Sequence, residues 1–168
     1  MSGAAAVAGP VAVRAVGPGD VGAVLGLLRG LAEYERMLDR FRATEDGLRG
    51  ALFGPRAPLD GVLAEDGEGR AVGVALWSRR FGTFSCRLGY WLEDIYVVPE
   101  ARGSGAGRAL FAAMVGRLRA EGGAVIAWDV LGWNAPAIGF YERLGARRAD
   151  DEWTEMRLDG EALARLAA

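Results

Sequence analysis

The chain contains no histidine and no lysine. A serine–histidine–acid triad, a histidine-activated cysteine and a Schiff-base lysine are therefore excluded as catalytic devices. There is one cysteine, Cys86. An intrachain disulfide is impossible, and so is a zinc site built from cysteine and histidine. A solitary thiol fits a reducing compartment, and we expect no metal. No apolar run reaches the ~20 residues of a membrane-spanning helix, so no membrane partner is expected. Met1 to Pro10 are rich in Ala and Gly and lack the basic start and large apolar stretch of a secretory signal. They read as a disordered lead-in over 1–10, followed by one cytoplasmic domain over 11–168.

What is present suits a soluble globular domain. The 168 residues are enough for one core, with 51% apolar and 25% charged side chains. A net charge of −2 gives no concentrated basic surface, so no nucleic-acid partner is expected.

Residues 11–16 read as a strand. Asp20 is placed to cap a helix whose apolar face is Val21, Val24, Leu25, Leu28 and Leu31, ending near Leu38. Thr44 is placed to cap a second helix through Leu52. Short strands follow at 61–64 and 71–77 around the turn Asp66-Gly67-Glu68-Gly69, and another at 90–98. A helix is predicted over 106–121, with Leu110, Phe111, Met114, Val115 and Leu118 facing the core. Gly122-Gly123 stops it. The apolar run 124–130 reads as a strand covered on both faces. A helix over 135–144, a strand pair within 146–158 and a terminal helix over 160–168 complete the pattern. Strands and helices intermix, which points to one α/β or α+β domain.

Three segments carry chemical meaning. The first, Val97 to Arg108, leaves a strand and opens a helix through Arg102-Gly103-Ser104-Gly105-Ala106-Gly107-Arg108. Its glycines let backbone N–H groups approach a ligand, and the helix N-terminus adds positive potential. The result is a seat for phosphate, unless the loop is simply flexible. A Walker A loop needs a lysine, and the Rossmann spacing G-x-G-x-x-G is absent. The second segment is Tyr90 to Val98, in which Glu93 and Asp94 interrupt an apolar strand. Adjacent strand residues face opposite sides, so at least one acid points into a cleft, or both are solvated on an edge strand. A buried carboxylate would gain basicity, and amine acylation needs a base because an alkyl ammonium must first lose a proton. The third segment runs from Ala127 to Ala146. It contains Asn134, the only asparagine, at a helix start, and Tyr141 two turns on. An N-cap and a packed aromatic are their ordinary roles.

Together these segments resemble the GNAT acetyltransferases. Arg102-x-x-Gly105-x-Gly107 matches the family's R/Q-x-x-G-x-G/A loop, and Trp133-Asn134 through Phe140-Tyr141 and Gly145-Ala146 match its second motif. Within that superfamily the chain is similar to the diamine (spermidine/spermine) acetyltransferase-like group. Leu31 to Glu35, Phe81 to Phe84, Leu92 to Val97 and the tail from Trp153 to Leu163 carry that likeness.

The resemblance implies a mixed, mostly antiparallel, splayed sheet flanked by helices, with a bulge near Ile95. It implies acetyl-CoA as co-substrate, its pantetheine arm pairing with backbone at Ile95, Tyr96 and Val97. Its pyrophosphate would sit on the loop of Arg102, Gly103, Ser104, Gly105, Ala106, Gly107 and Arg108, and Asn134 would also contact it. Glu93 would be the base, acting through water, and Asp94 would hold the amine. Tyr34, Glu35 and Phe84 would line the amine site. Tyr141 would protonate the leaving thiolate. A homodimer is expected from the same likeness. Transfer would be direct, since Cys86 has no histidine to activate it.

Arg79, Arg80 and Arg87 depart from a polyamine site. Facing the cleft, they would repel a polyamine and suit a lysine-like amine bearing a carboxylate; otherwise they are a solvated strand end. A protein acetyltransferase and a non-catalytic acyl-CoA-binding module are the competing readings.

Overall fold

The computed structural model describes residues 10–149 and Arg165. The chain divides into two compact units, Met1–Asp129 and Val130–Ala168. In the first, strands β1 (Ala12–Ala15), β2 (Leu59–Glu65), β3 (Ala71–Gly82), β4 (Arg87–Val97) and β5 (Val125–Ala127) form one sheet in that order. Neighbours are antiparallel except β4 and β5, which run parallel. Helices α1 (Val21–Tyr34), α2 (Glu45–Phe53) and α3 (Ala106–Ala120) pack on it. The mixed, mostly antiparallel architecture expected from the sequence is present.

Each face of the sheet has its own helices. Val21, Val24, Leu27 and Leu28 of α1 join Leu48 and Leu52 of α2 over Leu63, Val74, Leu76 and Tyr96. Leu25 and Leu31, expected on that face, flank it half-buried. Leu110, Phe111, Met114 and Leu118 of α3 are buried on the opposite side. There Gly73 admits α3 closely, since a Cβ on it would stand 3.1 Å from a methyl of Leu110. Alternation along β3 therefore sends Val74 and Leu76 to α1, and Gly73, Ala75 and Trp77 to α3.

The helix ends follow from local hydrogen bonds and backbone conformation. Thr44 Oγ1 accepts the Gly47 N–H at 3.1 Å and caps α2 as expected. Asp20 does not cap α1. Its carboxylate accepts the Gly17 N–H at 2.6 Å and two bonds from Arg14, which also reaches Glu65. α1 stops at Tyr34 rather than Leu38 because Arg36 adopts the left-handed conformation, with φ 60°. The Met37 N–H then bonds the Ala32 carbonyl and the Arg36 N–H bonds that of Glu33, which is a Schellman end. α3 ends by the same pair of bonds, with Gly122 (φ 76°) in Arg36's place.

Strands β3, β4 and β5 differ from expectation. β3 and β4 pair out to Gly82 and Arg87, so Arg79 and Arg80 lie within the ladder rather than beyond it. The run 124–130 gives only the three-residue β5, and Val125 is 57% exposed rather than covered on both faces. β5 pairs with Gly89, Tyr90 and Trp91 alone.

The second unit holds α4 (Ala135–Arg143), capped by Asn134, whose Oδ1 accepts the Ala137 N–H at 3.2 Å. Residues 146–149 have no regular structure, and the rest of the expected strand pair and terminal helix lies outside the described residues, apart from helical Arg165. Among the described residues, no helix is long and apolar enough to cross a membrane.

Candidate active site

The site grows from an irregularity in β4. Asp94 lies opposite Leu76 and Leu92 opposite Trp77, so Glu93 is the extra residue of a β-bulge. The bulge stands two residues before Ile95. It reverses the alternation of the strand. Before it, Tyr90 stacks on Trp77 with ring centroids 5.5 Å apart, on the α3 side. After it, Tyr96 packs into the α1–α2 core.

This reversal brings both acids to one face. Ser78 follows Val74 and Leu76 at strand spacing and so faces α1. Its hydroxyl donates to Glu93 Oε1 at 2.7 Å. Asp94 reaches the same side opposite Leu76. Regular alternation would have separated the two carboxylates; the bulge overrides it. Burial pushes Asp94 up to about 6, and the neighbouring charges of Glu93 and Glu35 add to the rise. Glu35 follows the last turn of α1, and its own pKa is raised by burial. Three carboxylates thus converge where α1 ends over the bulge, with Glu93 exposed and Asp94 half-buried. Among the described residues, no three His, Cys, Asp or Glu side chains are grouped so as to hold a metal ion.

Tyr34 is fixed beside this cluster. The Arg102 guanidinium lies over its ring at 4.7 Å and over that of Tyr96 at 5.9 Å. Arg102 Nε also donates to the Val97 carbonyl at 3.2 Å. The Arg102 side chain therefore ties the end of α1 to β4. Sequence reasoning, which gave this residue to a phosphate, missed that role, as it missed Ser78.

The glycine-rich loop leads from β4 to α3. Gly103 and Gly105 have φ of 82° and 93°, and a Cβ on either would meet nothing within 4 Å. Gly105 precedes α3 without a side-chain cap. The Ser104 hydroxyl accepts the Ala106 N–H at 3.3 Å. The N–H groups of Gly107 and Arg108 belong to the first turn, where a helix offers no partner of its own. The loop thus presents backbone donors to open space at the positive end of a 15-residue helix. A second opening adjoins it. β5 leaves β4 after Trp91, so the edge of β4 from Leu92 to Val97 has no strand on that side among the described residues. An extended, amide-bearing chain fits such an edge. The pyrophosphate and pantetheine parts of coenzyme A suit these two features.

Asn134 and Tyr141 stand at the start and on the second turn of α4, where Tyr141 packs against Phe140 with centroids 5.3 Å apart. Phe84 is not brought to the acids. It is fully exposed in the turn joining β3 and β4, at the far end of that hairpin from Asp94. Arg79 faces the α3 side, bound to Asp60 at 2.5 Å and Glu121 at 2.9 Å. Arg80, on the α1 side, lies over Trp91 at 5.2 Å.

Comparison with known proteins agrees with this geometry. Residues 29–146 match the family model described as Acetyltransferase (GNAT) family. The chain belongs to the GNAT acetyltransferases. This GNAT enzyme is 35% identical to the thialysine N-epsilon-acetyltransferase of Sus scrofa, over 94% of its own length and 97% of the relative's. It is 26% identical to an L-ornithine N5-acetyltransferase of Arabidopsis thaliana, with 90% and 85% covered. Its fold superposes on a Trypanosoma brucei acetyltransferase at a TM-score of 0.67 and 27% identity, covering 89% of this enzyme and 99% of that chain. Likeness to thialysine acetyltransferases places it in the diamine acetyltransferase-like group.

Proposed function

We propose that this acetyltransferase moves the acetyl group of acetyl-CoA directly onto the primary amine of a small molecule, either a diamine or a lysine-like amine. The observation that carries the reading is the convergence of Glu35, Glu93 and Asp94 on one face, continuous with the open edge of β4. A cation is the ligand such a cluster attracts. The names of the relatives, which act on thialysine and ornithine, support an amine acceptor.

The residues divide the work. Asp94 and Glu35, partly desolvated, hold the ammonium beside the ring of Tyr34. Glu93, exposed and oriented by Ser78, takes its proton through a water. The backbone of Gly103 to Arg108 and the β4 edge at Ile95 to Val97 hold the cofactor, with Asn134 as a further contact. Acetyl-CoA supplies the thioester-activated acetyl group. Tyr141 Oη donates a proton to the leaving sulfur, as a phenol can to an alkyl thiolate. Asn134 and Tyr141 rest on the motif that contains them. A cytoplasmic homodimer completes the reading.

The test is CoA thiol release from acetyl-CoA against diamines, polyamines, lysine analogues and peptides. Turnover on small amines, slowed at least about tenfold in Tyr141→Phe, is expected. Turnover on peptides alone favours a protein acetyltransferase. Acetyl-CoA binding without transfer to any amine overturns the enzymatic reading.

A further inference from the structure

Arg79 and Arg80 are adjacent in β3 and have different surroundings. Arg79 is engaged by two carboxylates on the α3 side. Arg80 lies on the other face, in line with Leu76 and Ser78, and so on the face that carries Glu93 and Asp94. Among the described residues, it makes no ion pair. Its guanidinium carbon lies over the Trp91 ring, 5.2 Å from the centroid. A cation–π contact of this kind steadies the guanidinium and leaves N–H groups for a planar, bidentate partner. The natural partner is a carboxylate. This end of the hairpin is exposed, because the buried part of β3 ends at Trp77.

We propose that Arg80 binds the α-carboxylate of the acceptor and makes this enzyme select amino acids with a terminal amine over diamines. The proposal rests on the amine-acetyltransferase reading given above and deepens it.

The spacing fits. Arg80 is four residues from Leu76, the partner of Asp94, which is about 13 Å along the strand. A lysine-sized acceptor separates its carboxylate carbon from its terminal nitrogen by six bonds, about 7 Å. The Arg80 side chain and one ion-pair contact at each end span the remainder. Arg87 shares the face but pairs with Gly82, two residues further out along β3. The face is thus bipolar, with three carboxylates for an ammonium at one end and a supported guanidinium at the other. A diamine would place its second cation against Arg80 and be repelled.

The test compares kcat/KM for matched pairs: L-lysine with cadaverine, L-ornithine with putrescine, and S-aminoethyl-L-cysteine with its decarboxylated diamine. The wild type is expected to favour the carboxylated member. Arg80→Gln is expected to lose at least about tenfold on the carboxylated member and to gain on the diamine. Arg80→Lys should retain part of the preference, because it keeps the charge and loses the fork. Arg79→Gln should leave the ratio where it was. Because the readout is a ratio, a general loss of folded protein does not imitate it. A ratio unchanged in Arg80→Gln, or a wild-type preference for diamines, overturns the proposal. If the wild type binds acetyl-CoA and acetylates neither member of any pair, the proposed function itself fails, and the proposal with it.

Discussion

The glycine loop and the acid bulge adjoin along the same strand and are made of different material. The loop works with backbone. Gly103 and Gly105 take left-handed conformations over open space, and the first turn of α3 adds N–H groups. The bulge works with side chains. Glu93, Asp94 and Glu35 come together because one extra residue reverses β4 and because α1 ends above it. A backbone site depends on conformation and is indifferent to most side chains around it. A side-chain site depends on charge and fails when a charge is removed. Substitution should therefore damage the two regions in different ways and at different steps.

The largest effect is expected from Glu93→Gln. It should lower kcat for amine acetylation by about 100-fold, as loss of a general base does, with steady-state thiol release as the measurement. Gly105→Val comes next. A β-branched residue at φ 93° is strained and shifts the loop's N–H groups, so the acetyl-CoA Kd should rise at least about tenfold by calorimetry, and the protein should melt lower.

The third prediction concerns pH. Asp94 has a folded pKa of about 6, above its ordinary 3.8. The folded protein then binds this proton more tightly than the unfolded chain. The stability from that group is full below pH about 4 and lost as pH rises through about 6. Asp94→Asn should therefore stabilise the protein at pH 7 by about 1–2 kcal/mol, with the gain fading toward pH 4 in denaturant titrations. Catalysis runs the other way. Holding an ammonium needs the ionised carboxylate, so kcat/KM for the amine should fall as pH drops through about 6. That limb should be missing from the weakened Asp94→Asn enzyme.

The smallest effect is expected at Arg36. This residue takes at the acid end the left-handed conformation that glycine takes in the loop. Arg36→Gly should stabilise by about 0.5–1 kcal/mol in the same titrations, by relieving the Cβ clash that left-handed backbone imposes.

The contrast also explains what could be read from the sequence. Left-handed backbone at Gly105 and Gly122 announces itself, because glycine is the residue that tolerates it. Hence the loop and the end of α3 were legible. The same conformation at Arg36 is silent in the letters, and the sequence alone predicts α1 to end near Leu38. The bulge is silent too, since any residue can be the extra one. Only the oddness of two acids in an apolar strand hinted at it, and alternation argued for opposite faces. Arg79 and Arg80 look alike in sequence; the parity of β3 assigns them to opposite faces, and parity was readable only once Val74 and Leu76 were known to face α1. Ser78 gave no signal, because its role comes from the register between β3 and β4.

We propose that acetyl-CoA is held by backbone and the amine by carboxylates. This is tested most directly by measuring acetyl-CoA affinity and amine turnover side by side in Glu93→Gln and Gly105→Val. The Glu93→Gln enzyme is expected to bind acetyl-CoA within about twofold of wild type and to lose about 100-fold in turnover, and the Gly105→Val enzyme to lose acetyl-CoA affinity. Loss of acetyl-CoA affinity in Glu93→Gln, or full amine turnover without that carboxylate, would contradict it.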